Sequence, residues 1–359
     1  MERKLSVYLP ACSSAARSAM VRAMSTVYSP FVSELKEKME FEGAFLVKVI
    51  QLHMDKNGRP YLNLILMDRT GEVEARAWDG AAKLAEEVKT QDIIKVAGKI
   101  NMYQGRRQIV VEAAAKVPAG GAPLDRFVPS TVYDVNRLHA DMVALFSTLE
   151  DPFYKELALI VLNDEETKPK IMRAPAAKTV HHAYAGGLLE HSLSVCRVLD
   201  MLAGHYRRYY GQAVSRDLLL IGGLFHDIGK IYELAFERGT EYTMEGQLIG
   251  HHVLGCELVD RIAARIPNFP AENKLHVKHM ILAHHGKLEY GSPKLPHTLE
   301  ALLVHMVDDM DSKVNTILGF VGADAQTGPW TVTNRLFERP FLKPKVKPEF
   351  LGKSPGVEG

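Results

Sequence analysis

No stretch of this 359-residue chain approaches the ~18 consecutive apolar residues that a membrane span needs. Cysteine is scarce. The three present, Cys12, Cys196 and Cys256, form no spaced pair, which argues against a disulfide framework or a thiolate metal site and fits reduced core thiols in a cytoplasmic protein. Neither acid nor base dominates, with 44 Lys and Arg against 43 Asp and Glu and a net charge of +1. No global basicity therefore announces a nucleic-acid partner, and any such partner has to be held by local patches. There is no internal repeat. Residues 5–12 are too short for the core of a signal peptide; 9–12 weakly resembles a lipoprotein cleavage site, which makes a lipoprotein the lesser reading. Residues 1–30 are expected to be a disordered extension or the product of a start set too early, since Met24 opens a stretch that flows into the first domain.

What is there is ordinary globular material, 47% hydrophobic and 24% charged, enough for two domains at ~100–200 residues each. After a short predicted helix at 32–39 the pattern turns to period two. Strands are expected at 45–52 and 61–66 around a hairpin turn of Asp55, Lys56, Asn57 and Gly58, then at 72–78 after a turn at 68–71. A helix at 81–88 leads to strands at 93–100 and 108–114, joined by a loop at 101–107. Five strands with a helix between the third and fourth is the layout of an OB-fold barrel, placed at 31–117. Prolines and glycines then mark a linker at 118–132. Helical sequence fills 133–320, with segments at 135–149, 152–162, 188–203, 217–226, 253–266, 274–284 and 298–318. Residues 321–359 are expected to be an extended basic tail. The expected fold class is multidomain, an N-terminal all-β OB-fold barrel followed by an all-α helical bundle.

A barrel of this kind binds single-stranded nucleic acid where stacking aromatics stand beside cations for the backbone. Tyr61, Trp78, Tyr103, Arg106 and Arg107 are the candidates, with Lys48, Arg76 and Lys99 in support. Taken singly, Tyr61 and Trp78 read more readily as barrel core, and the arginines as a solvated hairpin. The 103–107 loop is the stronger signal, an exposed tyrosine beside two arginines.

Histidine is concentrated, with 13 of 15 between His181 and His305. Four pieces stand out: Glu190 and His191; His226 and Asp227; Gly250, His251 and His252; and His284 with His285, followed by Asp308. One helix and a connecting loop separate each from the next, and adjacent helices of a bundle can gather them. Imidazole and carboxylate without thiolate suit two or more ions such as Mn, Fe, Co or Zn. His191 shares an inward stripe with Leu188, Val195, Val198 and Leu202. The apolar run 218–225 reads as a buried helix ending in His226, Asp227 and Lys230. Burying such groups is costly unless they are paired or metal-bound, and an aspartate can bridge two cations through its two oxygens. Gly229 is expected to end that helix and let Lys230 fold toward the site. Asp308 and Asp311, three apart on a helix, send one or both carboxylates inward, while Asp309 faces solvent and Glu190 the cavity rim or solvent. Any one of these reads as a core histidine or a capped helix end. Together they read as a metal cluster.

His191, then His226 with Asp227, then Asp308 resembles the HD superfamily of metal-dependent phosphohydrolases, and the added His251, His284 and His285 resemble its members with more than one metal. The stretches from His181 to Ser192, Leu224 to Lys230 and His284 to Pro293, with a barrel in front, resemble the YhaM-type 3′–5′ exoribonucleases. By that resemblance the bundle is an HD domain. His191, His226, Asp227 and Asp308 would hold one metal, and Asp227 would bridge to a second held by His251, His284 and His285. The chain departs from the family at Gly250, His251 and His252, where one histidine is expected; His251 is favoured over His252. Cyclic-dinucleotide phosphodiesterases of the superfamily carry Gly-Tyr-Pro after the histidine pair, and Glu289 to Pro293 here argue against that activity.

The resemblance implies two divalent ions, manganese first, with cobalt, iron or zinc behind it. Such ions would bring a bridging water to hydroxide near neutral pH for in-line attack on phosphorus, with Asp227 and Lys230 as the catalytic residues. The implied activity is 3′–5′ hydrolysis of single-stranded RNA to nucleoside 5′-monophosphates, with single-stranded DNA as a further candidate. His182, Tyr184 and Asp311 are expected beside the ligands or the substrate. Two alternatives stand: an HD phosphohydrolase of free nucleotides or cyclic dinucleotides, and a non-catalytic nucleic-acid-binding protein, against which the complete ligand set speaks. A homo-oligomer is left open.

Overall fold

Alternating burial in the first half of the chain resolves into five strands, in a computed structural model that describes residues 30–103, 106–118, 126–236, 240–324 and 326–345. Residues 1–29 of the expected extension, residues 119–125 of the linker and the end of the tail lie outside the described residues. The chain divides into two units, residues 1–129 and 130–359.

In the first unit β1 (Glu40–Met54), β2 (Pro60–Asp68), β3 (Gly71–Ala77), β4 (Ile93–Tyr103) and β5 (Arg106–Lys116) close into a barrel in the order β1-β2-β3-β5-β4. Only the β3–β5 seam is parallel. Every second residue of β2 turns inward, so Leu62, Leu64 and Leu66 meet Phe45, Val47, Ile94, Val96 and Ile109 in one buried core. Each such side chain contributes roughly 1.5–3 kcal/mol by leaving water. Helix α1 (Ala81–Glu87), between β3 and β4, adds Ala81 and Leu84 to that core. The first hairpin turns at Gly58, whose φ of 75° suits a residue without Cβ, while Asp55 Oδ1 accepts from the Asn57 and Arg59 amides at 2.8 Å.

Two expectations fail here. The helix predicted at 32–39 is one 3₁₀ turn, Val32–Glu34, because Lys38 takes a φ of 63° and swings the chain into β1. In the loop predicted at 101–107, residues 101–103 and 106–107 are instead strand: Met102 pairs with Arg107 and Tyr103 with Arg106. The antiparallel ladder gives these backbone groups partners that a loop would leave to water.

The second unit is helical: α2 (Val135–Phe146), α3 (Pro152–Asn163), α4 (Thr167–Arg173), α5 (Gly187–Tyr210), α6 (Arg216–Phe225) and α7 (Lys230–Glu233). A two-stranded ribbon, β6 (Leu234–Ala235) with β7 (Glu241–Tyr242), precedes α8 (Met244–Leu248), α9 (His251–Ala263), α10 (Ala271–Ala283) and α11 (Leu299–Ala323). Asp134, Asp151, Ser215 and Thr298 cap α2, α3, α6 and α11 by accepting from free first-turn amides. Residues 217–225 of α6 are all buried, which makes it the central helix, packed against α5, α10 and α11. Helices α4, α7 and α8 were not anticipated, being too short to show a helical period. Among the described residues no helix is long and apolar enough to cross a membrane.

Candidate metal centre

The four histidine pieces meet where helix ends converge on α6. The second turn of α5 supplies His191, the end of α6 His226 and Asp227, and the middle of α11 Asp308. His191 Nε2 lies 3.1 Å from Asp308 Oδ1 and 3.2 Å from His226 Nε2, and Asp227 Oδ2 is 3.4 Å from His226 Nε2. On the other side Asp227 Oδ1 lies 3.4 Å from His284 Nε2, at the end of α10, and 3.8 Å from His251 Nε2, at the start of α9. His252 and His285 complete a group of four imidazoles whose nearest ring nitrogens all lie within 4.8 Å of one another. Asp227 therefore divides its two oxygens between two donor sets.

The outward ring nitrogens explain which way the inward ones point. His226 Nδ1 is 2.9 Å from the Gly223 carbonyl, His284 Nδ1 2.8 Å from that of Ile281, and His285 Nδ1 3.1 Å from that of Tyr290. His251 Nδ1 is 2.9 Å from Glu233 Oε1 and His191 Nδ1 2.8 Å from Asp311 Oδ2. All five partners are acceptors, so each Nδ1 carries the hydrogen, as the outer partners of metal-binding histidines dictate. Asp227 Oδ1 and the Nε2 atoms of His251, His252 and His284 are buried without a hydrogen-bond partner. Converging buried acceptors are unfavourable unless a cation sits among them. The residues present fit divalent ions, whose ligand atoms sit at about 2.0–2.2 Å.

Charge follows the same layout. Burial pushes the Asp227 carboxyl up, but Lys230 and His226 outweigh it and hold the group well below the usual carboxylate range. The Lys230 ammonium donates to Asp227 Oδ2 at 2.7 Å. Burial works against ionised Asp308 too, and His191 and His226 reverse it. Burial opposes charge on His191, yet Asp308 and Asp311 raise it to about 10. Burial and then the neighbouring histidines lower His252 to about 2 and His285 to about 4, leaving both neutral. His181, Lys230, His285, Tyr290, His305 and Ser312 are among the residues around a cavity of about 200 Å³ that opens onto Asp227, His284 and Asp308.

The barrel carries a second group of candidates. Tyr61 stacks on Trp78 at 4.8 Å and on His53 at 5.6 Å, and the Arg76 guanidinium lies 5.0 Å from the centre of the Tyr103 ring. Tyr61 and Trp78 are half-buried on the outer face, so neither is barrel core. Arg106 is exposed beside Tyr103. Arg107 instead donates to the carbonyls of Val32 and Leu35 at 3.1 and 2.8 Å, and Lys48 pairs with Glu72.

Residues 188–313 match the HD domain family, and residues 46–117 match the OB-fold nucleic acid binding domain family. The 3′–5′ exoribonuclease YhaM of Oceanobacillus iheyensis is 33% identical over 312 residues, covering 86% of this chain and 95% of that protein. The protein of the same name from Bacillus subtilis is 32% identical over 305 residues, covering 83% and 93%. The chain belongs to the YhaM family.

In this YhaM-family chain several placements differ from expectation. Gly229 does not end α6 in a left-handed turn; its φ is −62°, and the chain runs from α6 through a tight turn into α7. Glycine is needed because a Cβ there would lie 1.9 Å from the His251 carbonyl oxygen, so the close approach seats α9 beside Asp227. Glu190 is not at a rim: it accepts from Thr131 Oγ1 at 2.5 Å and from the Tyr184 hydroxyl at 3.0 Å. His182 is buried, with its ring 4.0 Å from Asp311 Oδ2. Asp309 does face solvent, paired with Lys313.

Sequence reasoning missed His181, His305 and Glu233 and set His252 aside. The pairs His181–His182 and His251–His252 were the available signal. Glu233 sits on a helix of four residues and gave none.

Proposed function

We propose that the chain is a metal-dependent 3′–5′ exonuclease of single-stranded RNA, in which the barrel holds the strand and the helical unit cuts it. The observation that carries this reading is Asp227, whose two oxygens face two histidine sets at 3.4 Å each. His191, His226, Asp308 and Asp227 Oδ2 would hold one ion. His251, His284, His285 and Asp227 Oδ1 would hold a second, with His252 as an added donor. Imidazole and carboxylate suit manganese, with cobalt, iron and zinc behind it. When bound, such ions supply Lewis acidity and a water activated near neutral pH.

The chain's own groups do the rest. Asp227 and Asp308 bring the negative charge that draws the ions in, and Asp311 and Glu233 orient His191 and His251 through their Nδ1 hydrogens. Lys230 stands on the cavity wall and meets the charge that grows on the phosphoryl oxygens. His182 and Tyr184 brace this wall around Glu190. Water gives up a proton as its oxygen bonds to phosphorus, the bond from phosphorus to the 3′ oxygen breaks, and that oxygen takes up a proton in turn. A nucleoside 5′-monophosphate leaves and a new 3′ end remains.

In the barrel, Tyr61, Trp78 and Tyr103 would stack bases while Arg76 and Arg106 meet phosphates. Arg107 holds the 3₁₀ segment in place. Stacking and phosphate contacts do not read the 2′-hydroxyl, so single-stranded DNA is a second substrate. The relatives named 3′–5′ exoribonuclease support the direction of attack.

The test uses single-stranded RNA labelled at its 5′ end. Progressive shortening from the 3′ end with Mn²⁺, absent with EDTA or in Asp227→Ala protein, is the expected result. RNA left intact with Mn, Co, Fe and Zn alike would sink the reading and direct attention to free nucleotides and cyclic dinucleotides.

A further inference from the structure

Helix α5 begins at the metal centre and ends in the run His205, Tyr206, Arg207, Arg208, Tyr209 and Tyr210, of which Tyr206 and Arg207 are half-buried and the other four exposed. The His205 ring lies 4.8 Å from Tyr209, and Tyr206 stacks on Tyr210 at 6.0 Å and 30°. Contacts of 5.1 Å between His205 and Tyr206 and 6.3 Å between Tyr209 and Tyr210 join the two columns. The four rings form a two-by-two grid. Tyr209 is 71% exposed and Tyr210 68%, although a ring of this size normally hides in a core or an interface.

The grid is also basic. Arg208 is exposed, Arg207 is half-buried with its Nε buried and unpaired, and residues 205–210 contain no acid. Asp200, one turn and a half back, is already bound by Arg216 at 2.6 Å. Exposed rings interleaved with guanidinium groups are the elements of a sequence-tolerant site for single strands, in which bases stack and cations follow the backbone.

Position along the helix matters as much as composition. At about 100° per residue, His205, Arg208 and Tyr209 fall within about 60° of the direction of Ser194. Ser194 Oγ donates to Asp311 beside the metal centre at 2.5 Å. One stripe of α5 thus leads from the centre to the grid. Tyr210 lies 19 residues on from His191, about 28 Å along the axis, or about eight nucleotides at ~3.4 Å each.

We propose that this patch is a second binding surface for single-stranded RNA, gripping the strand on the 5′ side of the end being cut. It rests on the exonuclease reading above. A strand whose 3′ end enters the cavity has to leave along the surface, and this stripe gives it cations and ring faces. A second copy of the chain fits less well, because a two-fold contact would set Arg208 near its own copy.

The experiment compares RNAs of about five and about fifteen nucleotides, chosen to fall short of and to reach the patch. Binding is read by fluorescence anisotropy without cleavage, in Asp227→Ala protein carrying either Tyr209→Ala with Tyr210→Ala, or Arg208→Glu. The affinity for the longer RNA should fall about five- to a hundredfold and that for the shorter should hold. In cleavage-competent protein KM should rise on the longer RNA only, with kcat unchanged. Equal losses at both lengths, or none at the longer, would overturn the proposal. So would a changed sedimentation coefficient at unchanged RNA affinity, which would mark a self-association surface. The two readings fail separately. A wild-type chain that leaves RNA intact, yet whose patch variants lose the longer RNA, keeps the patch and discards the exonuclease. One that degrades RNA while its variants bind normally does the reverse.

Discussion

Asp227 Oδ1 and His284 Nε2 face one another across 3.4 Å, both buried, and neither makes a hydrogen bond. His284 spends its hydrogen on the Ile281 carbonyl, so two lone pairs meet in a low-dielectric interior. On the other oxygen of Asp227, Lys230 supplies a cation at 2.7 Å. Lys230 thus offsets part of the charge on one oxygen of this carboxylate, while the other faces imidazole lone pairs that a cation would bridge.

Glu233 fixes the ring of His251 on that second side. Its Oε1 accepts from both the ring and the backbone N–H of His251, at 2.9 and 3.0 Å. Glu233→Gln should weaken metal binding about 10- to 100-fold, as loss of such outer partners does. Titration with Mn²⁺ followed by activity or calorimetry checks it; unchanged affinity would show that His251 is not a ligand.

Lys230→Ala should leave the ion count intact but lower kcat about 100- to 1,000-fold, the usual cost of removing a group that meets developing charge. Lys230→Arg should restore part of it. A variant with full kcat would remove Lys230 from the chemistry.

The metal-free protein should be most stable near neutral pH. Burial, then the charge of His191, lowers His181 to about 4 and His182 to about 3; burial and His284 lower His285 to about 4. In the unfolded chain such groups take protons near 6.5, so the unfolded state binds more protons and stability falls as pH drops from about 6.5 toward 4. His191 has the opposite sign: its raised value of about 10 gives stability that is full below about 6.5 and lost as pH rises toward 10. Melting curves in EDTA across this range test the dome. A Tm that climbs steadily on acidification would contradict it.

Arg107 and Trp78 should separate structure from binding in the barrel. Arg107→Ala removes two charged hydrogen bonds to the Val32 and Leu35 carbonyls and should cost about 2–3 kcal/mol of stability. Trp78→Ala should lower single-strand affinity about five- to a hundredfold with little change in Tm. Denaturant melts and anisotropy on both proteins decide; the opposite assignment of effects would exchange their roles.

Much of this was legible in the chain. An apolar run of eight residues ending in His226 and Asp227 has few explanations, and period two marked the barrel. Other features needed three dimensions. Glu233 precedes its partner His251 by 18 residues, and no local pattern links them. Whether Tyr61 faced the core depended on strand parity, which Leu62, Leu64 and Leu66 decide once the register is known. Arg107 read as a free cation because the carbonyls it binds lie 72 and 75 residues away. Gly229 read as a helix stop, whereas its role is to let another helix come near.

The most direct test of the central claim is a count of bound metal. Protein loaded with Mn²⁺ and desalted should carry two ions per chain, His284→Ala one, and Asp227→Ala fewer still, by elemental analysis against protein concentration. Two ions retained in Asp227→Ala, or at most one in the wild-type chain, would contradict a carboxylate shared between two sites.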